Sequence, residues 1–157
     1  SVTAIEHSTF YGCSSLTSIT LHNSITRISP YAFSNQTNLT TLWIPGSVKN
    51  IGLGAFYGCS KLSSVTLSEG VEMIGHSAFG HCTALQTITL PASIKEVEHW
   101  AFDKCTNLTK IYCKMVTPPS QFYLSTEVKD IYVPHIAVED YKAAWSEYAD
   151  KIKGYSF

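Results

Sequence analysis

The chain carries five cysteines and six histidines, the residue types that form disulfides, ligate soft metals or act as nucleophiles and proton carriers. Cys13, Cys59, Cys82 and Cys105 fall at one position of a 23-residue period, with Gln36 filling the gap. If successive repeats stack as parallel strands about 4.8 Å apart, the last three come within disulfide reach by Cα distance. A column of single thiols is not the Cys-x-x-Cys arrangement of a zinc site and supplies no tetrahedral set. Buried free cysteine packs as a small hydrophobe, and a core role is the expectation for this column and for Cys113. His7, His76 and His99 share a second column, interrupted by Pro30 and Leu53. Apart from Glu98, no further ligand recurs beside them, so they are expected on the surface.

Carboxylates and glycines offer no better enzyme. Glu69 with Glu72, and Glu96 with Glu98, could be taken for the acid pair of a glycosidase. Glu96 and Glu98 stand two apart in an extended stretch next to Lys95, which fits a solvated surface. Gly52-x-Gly54-x3-Gly58 lacks the spacing and the strand–helix setting of a dinucleotide loop. Gly75-His76-Ser77-Ala78-Phe79-Gly80 puts a serine beside a histidine without the nucleophile elbow of a hydrolase. Asn35-Gln36-Thr37, Asn38-Leu39-Thr40 and Asn107-Leu108-Thr109 match a glycosylation acceptor pattern, at places where the repeat supplies Asn and Thr anyway. The expectation is a non-enzymatic chain with no catalytic residues, no cofactor and no metal.

All of these residues are set out by one repeat. Val2, Ile25, Val48, Val71 and Ile94 are 23 residues apart, as are Ile5, Ile28, Ile51, Ile74 and Val97. The same step generates Phe10, Phe33, Phe56, Phe79 and Phe102, then Leu16, Leu39, Leu62, Leu85 and Leu108. Two further columns are Ile19, Leu42, Val65, Ile88, Ile111 and Leu21, Ile44, Leu67, Leu90, Cys113. The end of each unit, L-x-x-I-x-L, alternates like a strand with one buried face. The piece around Ala-Phe-x-x-Cys is too short for a helix and predicts a turn, or one 3₁₀-like turn, that drops the Phe inward. Pro45, Gly46, Gly70 and Pro91 end the strands. One such unit cannot bury its own apolar face, so neighbours must stack on it. The predicted fold class is a repeat solenoid.

With Ile19 and Leu21 and their equivalents inward, Thr20, Trp43, Thr66, Thr89 and Tyr112 point outward. Ser18, Thr41, Ser64, Thr87 and Lys110 form the neighbouring outward column. Thr20, Thr41, Trp43, Thr66, Thr89, Lys110 and Tyr112 are therefore the candidate partner-binding face. Tryptophan and tyrosine are common anchors at protein interfaces, and an aromatic among hydroxyls also suits a glycan. Composition agrees with an uncharged surface. Charged residues make up 15%, the net charge is −1, and Ser and Thr together number 35. A nucleic-acid partner bound through a basic surface is excluded on that balance. No apolar run approaches the 18 residues that membrane insertion requires.

The columns, together with Ile51-Gly52-x-Gly54-Ala55-Phe56-x-Gly58-Cys59-x-x-Leu62-x-x-Val65-x-Leu67, resemble the BspA-like class of leucine-rich repeats over residues 1 to about 116. The resemblance implies a leucine-rich-repeat solenoid of the bacterial, Bacteroides-like type, exported or surface-attached. It also implies adhesion to a protein partner such as a host matrix or cell-surface protein, with no enzymatic activity in the repeat. A glycan-binding strand face and a passive spacer for another domain are the alternatives. Residues 1–116 are read as five repeats and 117–157 as a C-terminal capping segment, opened by Pro118-Pro119. Within it a strand is predicted at about 130–133 and a helix at about 137–153. Val138, Tyr141, Trp145, Tyr148 and Ile152 fall on one face of that helix, and Glu147 and Lys151 form an i,i+4 pair. The stretch Tyr132-Val133-Pro134-x3-Val138-x2-Tyr141-Lys142-x2-Trp145 resembles the terminal segment of many such proteins. The first repeat has no equivalent cap, which predicts an export signal and further repeats ahead of Ser1.

Overall fold

The computed structural model describes residues 2–120, 122–124 and 127–157. Each repeat supplies two strands. A two-residue strand comes from the V-x-x-I segment: β1 (Ala4–Ile5), β3 (Arg27–Ile28), β5 (Asn50–Ile51), β7 (Met73–Ile74) and β9 (Glu96–Val97). A longer one comes from the L-x-x-I-x-L segment: β2 (Ser18–Thr20), β4 (Thr41–Ile44), β6 (Ser64–Leu67), β8 (Thr87–Leu90) and β10 (Lys110–Cys113). The sequence pattern predicts the long strands; the short ones are too brief to show alternation.

All pairing is parallel and keeps the 23-residue register, as in Ile5–Ile28–Ile51–Ile74–Val97. The short strands form one five-stranded sheet. The long strands form β2-β4-β6 and β8-β10, the latter continued by β11 (Asp130–Pro134) and β12 (Ile152–Tyr155). β6 and β8 lie side by side. The inward columns make one continuous core between these sheets.

The Ala-Phe-x-x-Cys turn closes each winding. The backbone N–H groups of Phe10, Phe33, Phe56 and Phe79 each donate at 2.8 Å to the carbonyl of the Ala that precedes the next Phe. The five Phe rings stack in one file. Successive centroids are 5.1, 5.3, 5.4 and 5.7 Å apart, and the planes are within 7° of parallel. The turn is not a 3₁₀ helix. Two residues in each repeat take the left-handed backbone region. One column is Ser8, Tyr31, Gly54, Ser77 and Trp100, and the other is Gly12, Asn35, Gly58, His81 and Lys104.

The C-terminal segment departs from the single helix expected at 137–153. A 3₁₀ turn (His135–Ala137) leads into α1 (Val138–Ala144), and a second 3₁₀ stretch (Ser146–Lys151) leads into β12. Trp145 leaves helical geometry at φ −117° and ψ 56°. Its indole is stacked on Phe122 at 4.3 Å and its Nε1 donates to the Pro119 carbonyl. That anchoring, and the pairing of Ile152–Tyr155 with β11, override the helical periodicity that places Ile152 on the face of Tyr141. Lys151 sits 5.9 Å over the Tyr148 ring instead of completing a helical pair with Glu147. The strand expected at 130–133 is present as β11. Tyr141, Trp145 and Phe122 are buried against the end of the last repeat. The Tyr141 hydroxyl donates to the Met115 carbonyl at 3.1 Å, and burial pushes its pKa up.

Candidate functional site: the strand face

On the long strands inward residues alternate with outward ones, as in the Thr41–Ile44 pattern of exposed, buried, exposed, buried. This pleat fixes what the outer surface offers. Thr20, Trp43 and Thr66 stand in register on β2, β4 and β6, and Thr89 and Tyr112 in register on β8 and β10. Thr20, Thr41, Trp43, Thr66, Thr89 and Lys110 are exposed and Tyr112 is half-buried. Trp43 keeps 43% of its surface in solvent and is flanked on both neighbouring strands by threonines. A side chain so placed pays a standing hydration cost, which a partner's apolar surface would remove.

The face extends beyond the residues predicted from sequence. Tyr132 on β11 pairs in register with Tyr112 and with Lys153 of β12. The Tyr112 and Tyr132 rings stack at 4.7 Å. The Tyr155 ring meets both edge-on at 5.3 and 5.5 Å, and Phe157 meets Tyr112 and Tyr155 at 6.5 and 5.0 Å. Tyr155 and Phe157 are 42% and 51% exposed, so a four-ring patch opens to solvent at the C-terminal end of the face. Tyr132 could have been found from the alternation of Ile131-Tyr132-Val133. Tyr155 and Phe157 lie just past the helix predicted at about 137–153, so the sequence pattern gives no strand to carry them onto this face.

Charge at this end is arranged in pairs. Lys153 Nζ lies 2.5 Å from Asp130 Oδ1, and the hydrogen bond and charge of Asp130 raise the Lys153 pKa. Lys110 stands between Thr87 and Asp130 in register. Away from the face, Lys49 and Lys95 bracket Glu72 at 3.6 and 2.6 Å.

Three members of the thiol column are core, and the expectation fails for Cys13, which is exposed. Cys59, Cys82 and Cys105 are buried free thiols whose Sγ–H groups donate to the carbonyls of Phe33, Phe56 and Phe79 at 3.4, 3.3 and 3.0 Å. Gln36, the odd member of the column, does the same with Nε2 toward the Phe10 carbonyl. The repeat therefore asks this position for a donor, which is why a polar amide is accepted there. Burial pushes the Cys82 and Cys113 thiols up, far from thiolate chemistry. Among the described residues no group of three His, Cys, Asp or Glu side chains comes together as metal ligands would.

The histidines are not idle surface residues. His76 meets the Trp100 ring edge-on at 5.2 Å, His99 stacks on Tyr123 at 4.1 Å, and His7 meets Tyr31 at 5.9 Å. Glu98 accepts the backbone N–H of His76 at 2.7 Å, and Ser77 Oγ is 3.1 Å from His76 Nδ1. Glu69 Oε1 and Oε2 accept the backbone N–H groups of Ala92 and Ser93. These acids brace backbone rather than face each other as a catalytic pair. No helix among the described residues is long and apolar enough to cross a membrane.

Comparison with known proteins follows this architecture. A leucine-rich repeat protein of Bacteroides ovatus superposes with a TM-score of 0.74 at 30% identity, over 98% of this chain and 40% of that one. A Treponema pallidum leucine-rich repeat protein gives a TM-score of 0.75 at 23% identity, over 98% of this chain and 79% of that one. A leucine-rich cell surface protein of Faecalibacterium prausnitzii gives 0.59 at 23% identity, over 88% and 31%. The chain thus spans 40% of the B. ovatus protein's length and 31% of the F. prausnitzii protein's. Comparison with curated proteins returns no significant match. The model of the BspA type leucine-rich repeat region matches six copies over residues 1–109 and 53–143, reaching past the five repeats of the sequence pattern to include β11 and most of α1. On this match and on the 23-residue windings themselves, the chain belongs to the BspA-type leucine-rich repeat family.

Proposed function

We propose that the chain is a non-enzymatic, extracellular or cell-surface interaction module that binds a protein partner through its strand face. Residues 1–116 serve as the recognition solenoid and 117–157 as the segment that covers its end. The observation that carries this reading is the pairing of one exposed indole, Trp43, with a four-ring patch on the same hydroxyl-rich, parallel-stranded surface. Aromatic anchors on a rigid, weakly charged face bury apolar area at little entropic cost. Membership of a family typified by surface interaction modules supports the location, as does the cell-surface description of the F. prausnitzii relative.

A protein is favoured over a glycan at this face by how the rings are used. Tyr112 and Tyr132 lie flat against each other, and Tyr155 sets its edge on both. Those contacts occupy ring faces that a sugar would need for stacking. Screening the protein against host matrix and cell-surface proteins, with a glycan array in parallel, tests the reading. Trp43→Ala should weaken the interaction found by at least tenfold. Undiminished binding by that variant would remove the strand face from the proposal, and silence against every protein would favour a spacer role.

A further inference from the structure

We propose that the flank of the last repeat carries a second binding site, a cleft for a neutral saccharide built on Trp100 and Tyr123 and separate from the strand face. The cleft has a volume of about 300 Å3 and is lined by Trp100, Tyr123, Asp103, Glu127, Lys104 and Thr106, among others. That volume is at the small end of the ~300–1,000 Å3 typical of small-molecule sites.

Three observations point to a ligand. Trp100 belongs to the 23-residue turn column and Tyr123 to the capping segment, where the β10–β11 register has dropped to 20 residues, yet both line the same cleft. Both are exposed, at 56% and 42%; the turn column of Trp100 otherwise holds Ser8, Tyr31, Gly54 and Ser77, of which Tyr31 is 36% exposed. Both rings are held from outside the cleft's lining: the His76 imidazole meets Trp100 at 71° and the His99 imidazole lies over Tyr123 at 24°. His76 is itself fixed by Glu98 through its backbone N–H and by Ser77 at its ring. Trp100 also adopts φ 59°, a backbone region unfavourable for a bulky residue and tolerated only where surroundings enforce it. Tyr31 meets the same strain at φ 55° beside His7; what sets Trp100 apart is that a second exposed ring, Tyr123, and a set of polar side chains share its cleft.

The polar lining selects the ligand class. Asp103 and Glu127 offer carboxylate acceptors, Lys104 an ammonium donor and Thr106 both functions. An organic cation would meet the Lys104 charge, and a phosphate or sulfate would meet two carboxylates. A neutral polyol uses both kinds of group: its hydroxyls donate to the carboxylates and accept from the ammonium, while its C–H face lies on the Trp100 ring, which, unlike Tyr123, is not stacked flat by a histidine.

The test is an array of neutral gluco-, galacto-, manno- and xylo-oligosaccharides, with hits titrated calorimetrically on the intact chain. Choline chloride and inorganic phosphate serve as competing probes. The expected result is binding of at least one oligosaccharide series. Affinity should fall tenfold or more in Trp100→Gly, which suits the left-handed backbone, and at least threefold in Asp103→Asn and Glu127→Gln. Trp43→Ala should leave it unchanged. The proposal is overturned if no oligosaccharide binds at millimolar concentration, or if choline or phosphate binds in its place. It is also overturned if all three cleft variants keep full affinity, or if the loss appears in Trp43→Ala instead.

Discussion

Truncating Phe56 to alanine should cost far more than truncating Phe10, although both sit in the same repeat column. Phe56 is completely buried and stacked between Phe33 at 5.3 Å and Phe79 at 5.4 Å. Phe10 is half-buried and has a single ring neighbour at 5.1 Å. A buried Phe→Ala change costs about 3–5 kcal/mol, and each aromatic pair accounts for about 0.5–1.5 kcal/mol beyond area. With part of its surface already in solvent and one ring pair rather than two, Phe10→Ala should cost about 1.5–2.5 kcal/mol. Domains of this size are stabilised by roughly 5–15 kcal/mol in total, and each kcal/mol moves Tm by about 2–4 °C. Phe56→Ala should thus lower Tm by roughly 6–20 °C, and Phe10→Ala by less than about 10 °C. Urea titration monitored by circular dichroism gives both differences directly. In a solenoid each winding is coupled only to its neighbours. Loss at the centre uncouples repeats on both sides, so a lower m-value or a second transition is expected for Phe56→Ala alone. Equal costs at the two positions would refute the argument, because the ladder would then be incidental to the burial of each ring.

Other perturbations test separate parts of the architecture. Gly12→Ala and Gly54→Ala both force a left-handed residue, at φ 67° and 56°, but only Gly54 lies against a ring, its Cβ position being 2.5 Å from Tyr31; Gly12→Ala should cost about 1 kcal/mol and Gly54→Ala clearly more, by thermal denaturation. Iodoacetamide at pH 8 should label Cys13 alone in the native protein and all five cysteines after denaturation, read by intact mass, because the other thiols are buried and burial raises the pKa of Cys82 and Cys113; native labelling of Cys82 would contradict its place in the core. The hydrogen bond from Lys95, aided by the charge of Lys49, holds the Glu72 carboxyl below its usual range, so its contribution is present above the unfolded pKa and fades as pH falls through the lowered folded value. Glu72→Gln should therefore lower Tm slightly at pH 6 and converge on the parent in strong acid, and the difference should shrink in high salt because the pair is solvent-exposed.

What could be read from the sequence follows from how strongly each position is constrained. The six apolar columns recur because a missing side chain in any winding leaves a cavity between two neighbours, so period 23 alone locates the core. The thiol column was legible as core except at Cys13, but its chemistry was not: that Cys59, Cys82 and Cys105 donate to Phe carbonyls needs the distances, although Gln36 in the same column already signals a polar requirement. The two left-handed columns left a trace in Gly54 of one and in Gly12, Asn35 and Gly58 of the other, the residue types that accept such a backbone. The helix expected over 137–153 misled because Ile152 satisfies two periods. It falls on the helical face of Tyr141, and it also begins Ile152-Lys153-Gly154-Tyr155, whose buried start suits a strand. Parallel pairing to β11 decides between them, and that partner lies 21 residues earlier, outside any local window. Gly154 belongs to the same solution: its Cβ position is 2.3 Å from the His135 imidazole, so any side chain there would have to displace that ring.

The division between a uniform interior and a varied exterior explains where recognition can arise in this fold. The column Ser8, Tyr31, Gly54, Ser77, Trp100 has φ within 52–59° in every winding, while its side chains range from none to an indole. The backbone there is dictated by the N–H to carbonyl ladder of the turns and by the Phe file behind it, so the side chain is free to vary once the left-handed strain is met. Likewise the outward strand column holds Thr20, Trp43, Thr66, Thr89 and Tyr112 on strands whose inward partners barely change. A side chain carried on such a backbone loses little further freedom on binding, which raises affinity for a given contact area. On the proposed reading, recognition on a scaffold of this kind is decided by single exposed residues rather than by loops, and substitutions at Trp43 or Trp100 should alter binding without propagating through the fold.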